Sequence, residues 1–172
     1  MPTFPHNGGN EWRDWTRQTG HHQVFYGEHR HTLDEKNRLS VPAKFRALLL
    51  GPDDDNFYVT RGIDRCILIC AKAVWQQMER EFCDHPITNP LARSFRRMFY
   101  SGALQTAAFD KQGRVSLTQN LIDHALLKRE VVLAGVGNAI EVWDAETWDR
   151  QLAESLETFD ETARQLSKSP KE

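Results

Sequence analysis

Along residues 23–33, QVFYGEHRHTL, apolar and polar positions alternate loosely, a period of two that predicts a strand. A polar turn at 34–37 leads into RLSV, which predicts a second, short strand. From Pro42 the period lengthens. In PAKFRALLL, Phe45, Leu48 and Leu49 share one helical face, and Pro42 suits the first helical turn, where its missing N–H costs nothing. After the loop GPDDDN, the runs FYVTRG and CILIC predict a hairpin that reverses around Gly62–Arg65. AKAVWQQMEREF reads as a helix with Val74, Trp75, Met78 and Phe82 as its apolar stripe. A further helix starts at TNP, with Asn89 as N-cap and Pro90 in its first position. There Leu91, Phe95, Met98 and Phe99 are expected to face inward, and Arg93, Arg96 and Arg97 mostly outward.

The order then recurs. GALQTAAF predicts a strand, DKQG a turn, RVSL a strand and TQNLIDHALL a helix. VVLAGV and AIEVW predict a hairpin, and DAETWDRQLAESLETF a helix with its buried stripe at Trp148, Leu152, Leu156 and Phe159. The chain thus carries strand–turn–strand–helix–hairpin–helix twice. Trp75 corresponds to Trp148 and Asp34–Arg38 to Asp110–Arg114, the offset shifting by three residues because the GPDDD loop is longer. Two copies of one unit can interleave, so the expected architecture is α+β: one pseudo-symmetric β-barrel with flanking helices. Residues 1–22 lack periodicity and are rich in Gly, Pro and His, which predicts a disordered arm, although Trp12 and Trp15 suggest that it docks somewhere. The tail SKSPKE is expected to be disordered as well.

The repeated turn has its own chemistry. LDEKNRLSVP at 33–42 and FDKQGRVSLT at 109–118 both place Asp four residues ahead of Arg. Asn37 and Gly113 occupy the same slot, and these two residue types tolerate left-handed backbone best, so both are expected at positive φ. Each opening Asp can accept backbone N–H bonds two residues on and can hold the Arg that follows. A restrained guanidinium loses less entropy on binding, and its fork suits phosphate or guanine. The same Asp–Arg pairs could equally do no more than brace a barrel.

Composition changes this picture little. The 172 residues can bury a sizeable core, and no apolar run approaches the ~20 residues of a membrane helix. The start MPTFPHNGGNEWRDW has neither the basic nor the apolar region of a secretory signal, so a cytoplasmic location is expected. Cys66, Cys70 and Cys83 lack zinc spacing, and the first two, within CILIC, read as buried free thiols. The net charge of −2 does not advertise a nucleic-acid partner, but its distribution is uneven. Residues 24–50 hold Arg30, Lys36, Arg38, Lys44 and Arg46 against three acids, LARSFRRMF holds three arginines and no acid, and the chain from Glu141 is strongly acidic.

From GEHRHTLDEKNRLSVPAKFR the chain resembles the MraZ family of bacterial transcriptional regulators. The resemblance continues through VTRGIDRCILI, TNPLARSFRRMFYSGA, DKQGR and VVLAGVGNAIEVWDAETWD and covers about residues 24–150. It implies tandem AbrB-like (SpoVT-AbrB) swapped-hairpin units, at 23–83 and 84–155; the arm at 1–22 and residues 156–172, read as helix end and disordered tail, have no counterpart in the resemblance. It also implies rings of identical subunits that bind short G-rich direct repeats in double-stranded DNA upstream of the division and cell-wall gene cluster. The family's Asp-x-x-x-Arg motif, associated with DNA contact, falls on Asp34 and Arg38 and again on Asp110 and Arg114, and Lys36, Lys44 and Arg46 stand at family-type basic positions. Arg38 is then the expected base reader, oriented by Asp34, with the lysines and Arg46 on phosphates. Asn37 replaces the family's usual Gly, and Thr118 stands where the second unit commonly has Pro. LIDHALLKRE has no basic residue near its start, which assigns base reading to the first unit and assembly to the second.

Other constellations lead less far. His21, His22, His29 and His31 lack the Cys or acidic partners of a metal site, and GVGN at 135–138 joins two strands instead of opening a helix. No nucleophile or cofactor signature stands out, so no enzyme activity, cofactor, metal or small-molecule substrate is expected. Arg93, Arg96 and Arg97 form either a solvated or salt-bridged face or a supplementary phosphate contact. Two other classes stay open: a ring-forming protein-interaction hub without DNA binding, favoured by the acidic second half, and a barrel-fold enzyme using Asp34 or Asp110.

Overall fold

The computed structural model describes residues 24–51, 56–83, 85–106 and 109–168, with only the backbone of Cys83. The expected arm at 1–22 and the last four residues of the tail lie outside the described residues. The elements follow the order read from the sequence: β1 (Phe25–Thr32), β2 (Arg38–Ser40), α1 (Ala43–Leu49), β3 (Phe57–Arg61), β4 (Ile67–Ala71), α2 (Lys72–Cys83) and α3 (Pro90–Ser101). They continue with β5 (Leu104–Thr106), β6 (Arg114–Ser116), α4 (Gln119–Ala125), β7 (Glu130–Gly137), β8 (Ala139–Asp144) and α5 (Ala145–Lys168).

Local chemistry sets most boundaries. Asn89 caps α3, its side chain accepting from the backbone N–H groups of Leu91 and Ala92, and Pro90 follows as the first helical residue. Pro42 precedes α1 as its N-cap and does not enter its first turn. Leu126, left-handed at φ 52°, ends α4. Buried Asp144 ends β8 and caps α5 by accepting from the N–H of Thr147, and it also accepts from the N–H of Lys128.

Pairing is antiparallel throughout. One sheet has the order β1–β7–β8–β4–β3–β5, and β2 pairs β6 in a separate ribbon. Each half lends its leading strand to the other: β1 pairs β7, and β5 pairs β3. Exchanging the halves (β1 for β5, β3 for β7, β4 for β8) reads the same sheet backwards. The two pairings that join equivalent strands, β2 with β6 and β4 with β8, obey the same exchange in register. Leu39 faces its counterpart Val115 in the ribbon, and Leu68 faces its counterpart Glu141 at the centre of the sheet. Among the described residues the ladder does not close on itself: β1 and β5 are edges of an open sheet.

The period of two sends Phe57, Val59, Ile67, Ile69, Ile140 and Val142 to one face of the sheet, where they meet Leu39, Val115, Phe45, Leu49 and Leu121 from the ribbon and from α1 and α4. This core draws on both halves, so neither half can bury it alone. On the opposite face Tyr58, Leu68 and Cys70 pack under α2 and α3, with Trp75 stacked between Tyr58 and Phe99 at 4.5 Å on each side. Cys66 and Cys70 are buried free thiols, both pushed up to about 12 by burial. Among the described residues no helix is long and apolar enough to cross a membrane.

Two expectations about faces are corrected, that for the apolar side of α3 and that for α5. In α3, Ala92, Phe95 and Phe99 point inward, while Leu91 (81% exposed) and Met98 lie outside. At about 100° per residue Ala92, Phe95 and Phe99 fall within roughly 60° of one another, while Leu91 and Met98, seven residues apart, share a direction about 80° to one side of that arc. Arg93 and Arg96 do not stand free: Arg93 donates to the carbonyls of Ile87 and Thr88, and Arg96 to that of His85, fastening the loop ahead of α3. In α5 only the first turns meet the sheet, and Leu152, Leu156 and Phe159 are exposed instead of buried. Its 24 residues span roughly 36 Å at 1.5 Å each, well beyond the strands beneath it. The helix also continues through Ser167 and Lys168, the first residues of the expected tail.

Candidate nucleic-acid interface

Both repeated turns fold alike, and their side chains explain why. Asn37 and Gly113 stand at φ 55° and 76°, as their shared slot predicts. Each turn closes by a bond from that residue's N–H to the carbonyl of its Asp, at 2.9 Å in both. Asp34 Oδ1 accepts from the N–H groups of Lys36 and Arg38 at 2.9 and 3.0 Å; Asp110 Oδ1 accepts from Gln112 and Arg114, both at 2.9 Å. The second carboxylate oxygen holds the guanidinium, with Arg38 Nε 2.6 Å from Asp34 Oδ2 and Arg114 Nε 2.8 Å from Asp110 Oδ2. Both carboxyls are held below their ordinary range, first by the backbone N–H of the following Arg and then by its side chain.

Pairing of β2 with β6 brings the two motifs together. Arg38 stands opposite Ser116, and Ser40 opposite Arg114, on one three-residue ribbon. The turns interlock through bonds from Leu117 N–H to the Asn37 carbonyl and from Val41 N–H to the Gly113 carbonyl. Arg114 Nη1 also reaches Asp34 Oδ2 at 3.3 Å, so Asp34 serves both guanidinium groups. Arg114 is accordingly the more enclosed, its side chain 23% exposed against 31% for Arg38. The result is a rigid pair of forked donors, each braced by a carboxylate and presented on a narrow ribbon.

The remaining expected residues differ in placement. Lys36 is exposed on the first turn. Arg46 joins the cluster from α1: its Nη1 donates to the Val41 carbonyl at 2.6 Å, and its guanidinium lies against Gly113, where a Cβ would stand 2.2 Å from that nitrogen. Gly113 is therefore required twice, by its φ and by this approach. Lys44 makes no described contact with the cluster; its ammonium sits 4.0 Å from the centre of the exposed Tyr26 ring. One residue was overlooked. Lys111 is exposed at the slot that Glu35 fills in the first turn, a signal available from laying the two turns side by side. His29 packs edge-on against Phe45 at 5.0 Å, and His31 is shifted down by burial and by His29.

A family model described as "MraZ protein, putative antitoxin-like" matches residues 24–98 and again 99–168. The chain is 44% identical over 143 residues to a protein named transcriptional regulator MraZ from Lactobacillus johnsonii, covering 83% of this chain and 96% of that protein. Proteins of the same name are 43% identical over 143 residues in Natranaerobius thermophilus and 41% over 140 residues in Halothermothrix orenii, covering 83% and 81% of this chain and 96% and 94% of theirs.

Proposed function

The chain belongs to the MraZ family, and from that premise we propose that it is a transcriptional regulator, a non-enzymatic protein that binds specific sites in duplex DNA. The observation that carries this reading is the β2–β6 ribbon, with two guanidinium groups locked in place side by side. Arg38, the freer of the two, reads guanine edges and is aimed by Asp34. Arg114, clasped by both Asp110 and Asp34, chiefly braces the first motif. Lys36, Lys44, Arg46 and Lys111 supply phosphate contacts, Arg46 from its seat on the second turn. The sites are short G-rich direct repeats ahead of the division and cell-wall gene cluster. A ring of identical subunits engages several repeats together, so that each further contact is effectively intramolecular. The protein acts in the cytoplasm, at the nucleoid. Residues 23–83 and 84–155 are AbrB-like swapped-hairpin units of one pseudo-symmetric fold, a division supported by the reciprocal loan of β1 and β5.

Fluorescence anisotropy with a duplex from the promoter of this organism's own division gene cluster tests the reading. Tight binding that weakens steeply with salt, and a clear preference over a scrambled duplex, is expected. Equal affinity for both duplexes would refute sequence-specific reading, and no binding to either would leave the protein-hub reading in its place. Light scattering at micromolar protein tests the ring, which a monomeric mass would refute.

A further inference from the structure

The pseudo-twofold relation is incomplete at one place. In the first half α2 is covered by α3, the segment that immediately precedes β5: Phe95 lies 5.1 Å from Phe82, and Phe99 stacks on Trp75 at 4.5 Å. Exchanging the halves turns α2 into the first part of α5, and α3 into whatever precedes β1. Among the described residues nothing plays that part. Leu152, Leu156, Phe159 and Leu166 are 37%, 64%, 65% and 70% exposed and, with Ala163, repeat at alternating intervals of four and three. That is the narrow apolar seam of a helix built to pack against another. Trp148, the counterpart of Trp75, has Trp143 at 5.9 Å, and its buried indole Nε1 has no hydrogen-bond partner among the described residues.

The chain ahead of β1 has the composition of the missing cover. Asn10 and Gly20 bracket EWRDWTRQT as Asn89 and Gly102 bracket α3, the residue types of an N-cap and a helix stop. Trp12 and Trp15, three apart, share one side of a helix in that bracket, and Arg13 and Arg17, four apart, share a flank. α5 is acidic, with six acidic side chains against three basic. The family match begins at residue 24, so this segment is an addition to the shared fold. Reach is sufficient. Arg30 of β1 holds Asp149 of α5 at 2.5 Å. From Phe25 along β1 to that contact is about 17 Å, and from Asp149 up α5 to Leu152, the first residue of the seam, about 5 Å. With 15–20 helical at about 1.5 Å per residue and 20–25 extended, the chain from Trp15 to Phe25 can span ~24 Å.

We propose that residues 10–20 pack in cis on the apolar seam of α5 through Trp12 and Trp15, as α3 packs on α2. Hydrogen exchange read by mass spectrometry tests this on the full chain, on W12S/W15S, on W12F/W15F and on a chain lacking residues 2–22, each at two protein concentrations. In W12S/W15S and the shortened chain, amides of 150–162 should exchange faster by on the order of tenfold or more at both concentrations. Amides of β7 and β8 should be unchanged in every chain, and W12F/W15F should keep the protection. Identical exchange of α5 in all four chains would overturn the proposal. So would protection that follows concentration and ignores the arm, which would mean that a second copy covers the seam.

Discussion

Replacing Gly113 by Ala separates what the second turn owes to its backbone from what it owes to its neighbour. At φ 76° an Ala meets the left-handed penalty, about 1–2 kcal/mol. Its Cβ would also stand 2.2 Å from Arg46 Nη1 and 2.5 Å from Cζ, so the guanidinium must move and leave the Val41 carbonyl. A bond from a charged donor is worth roughly 1.5–3 kcal/mol when protected; Arg46 is only half-buried and regains water, so about 1 kcal/mol is lost. The expected total is about 2–3 kcal/mol, or roughly 5–10 °C in Tm for a chain of this size. Asn37→Ala in the sister turn meets the backbone penalty and loses an exposed 3.2 Å bond to Gln119, with no guanidinium to displace, so about 1 kcal/mol is expected. Urea and thermal unfolding at one fixed protein concentration measure both, since self-association makes Tm concentration-dependent. Gly113→Ala falling within roughly 0.5 kcal/mol of the parent, or matching Asn37→Ala, would refute the role given to Arg46.

Arg38→Ala should keep the fold and assembly but lose about 1–3 kcal/mol of discrimination at each engaged guanine, whereas Arg114→Ala should affect stability more than specificity; the reverse outcome in operator and scrambled-duplex titrations would move base reading to the second turn. Lys44→Ala should weaken binding to every sequence alike and make the salt slope shallower by about one, and an unchanged slope would remove Lys44 from the phosphate contacts. The lowered Asp34 and Asp110 carboxyls contribute stability that is fully present above their ordinary range and is lost as pH falls through their depressed values. Acid titration should therefore show Asp34→Asn and Asp110→Asn losing pH sensitivity in that acidic window, and parallel curves would contradict the turn chemistry. Glu141, raised chiefly by burial, has the opposite sign: it favours folding most at low pH and less as pH rises through its shifted value, so Glu141→Gln should flatten that decline.

Local features of the chain were legible from the sequence because they are decided by neighbours. The left-handed slot shared by Asn37 and Gly113, the Asp–Arg clasp four residues apart, the cap at Asn89 and the order of strands and helices all follow from contacts within one or two turns of chain. Tertiary structure alone decided how the halves interleave. The bond from Arg114 to Asp34 spans 80 residues, and no periodicity encodes it; it exists because β2 pairs β6 across the pseudo-twofold. The same holds for Arg46 against Gly113, which joins a helix of one half to the turn of the other. The exposed seam of α5 marks the other limit. A helical stripe at Leu152, Leu156 and Phe159 specifies that one face is apolar, but not what it packs against, because amphipathicity is a property of one helix and burial is a property of two.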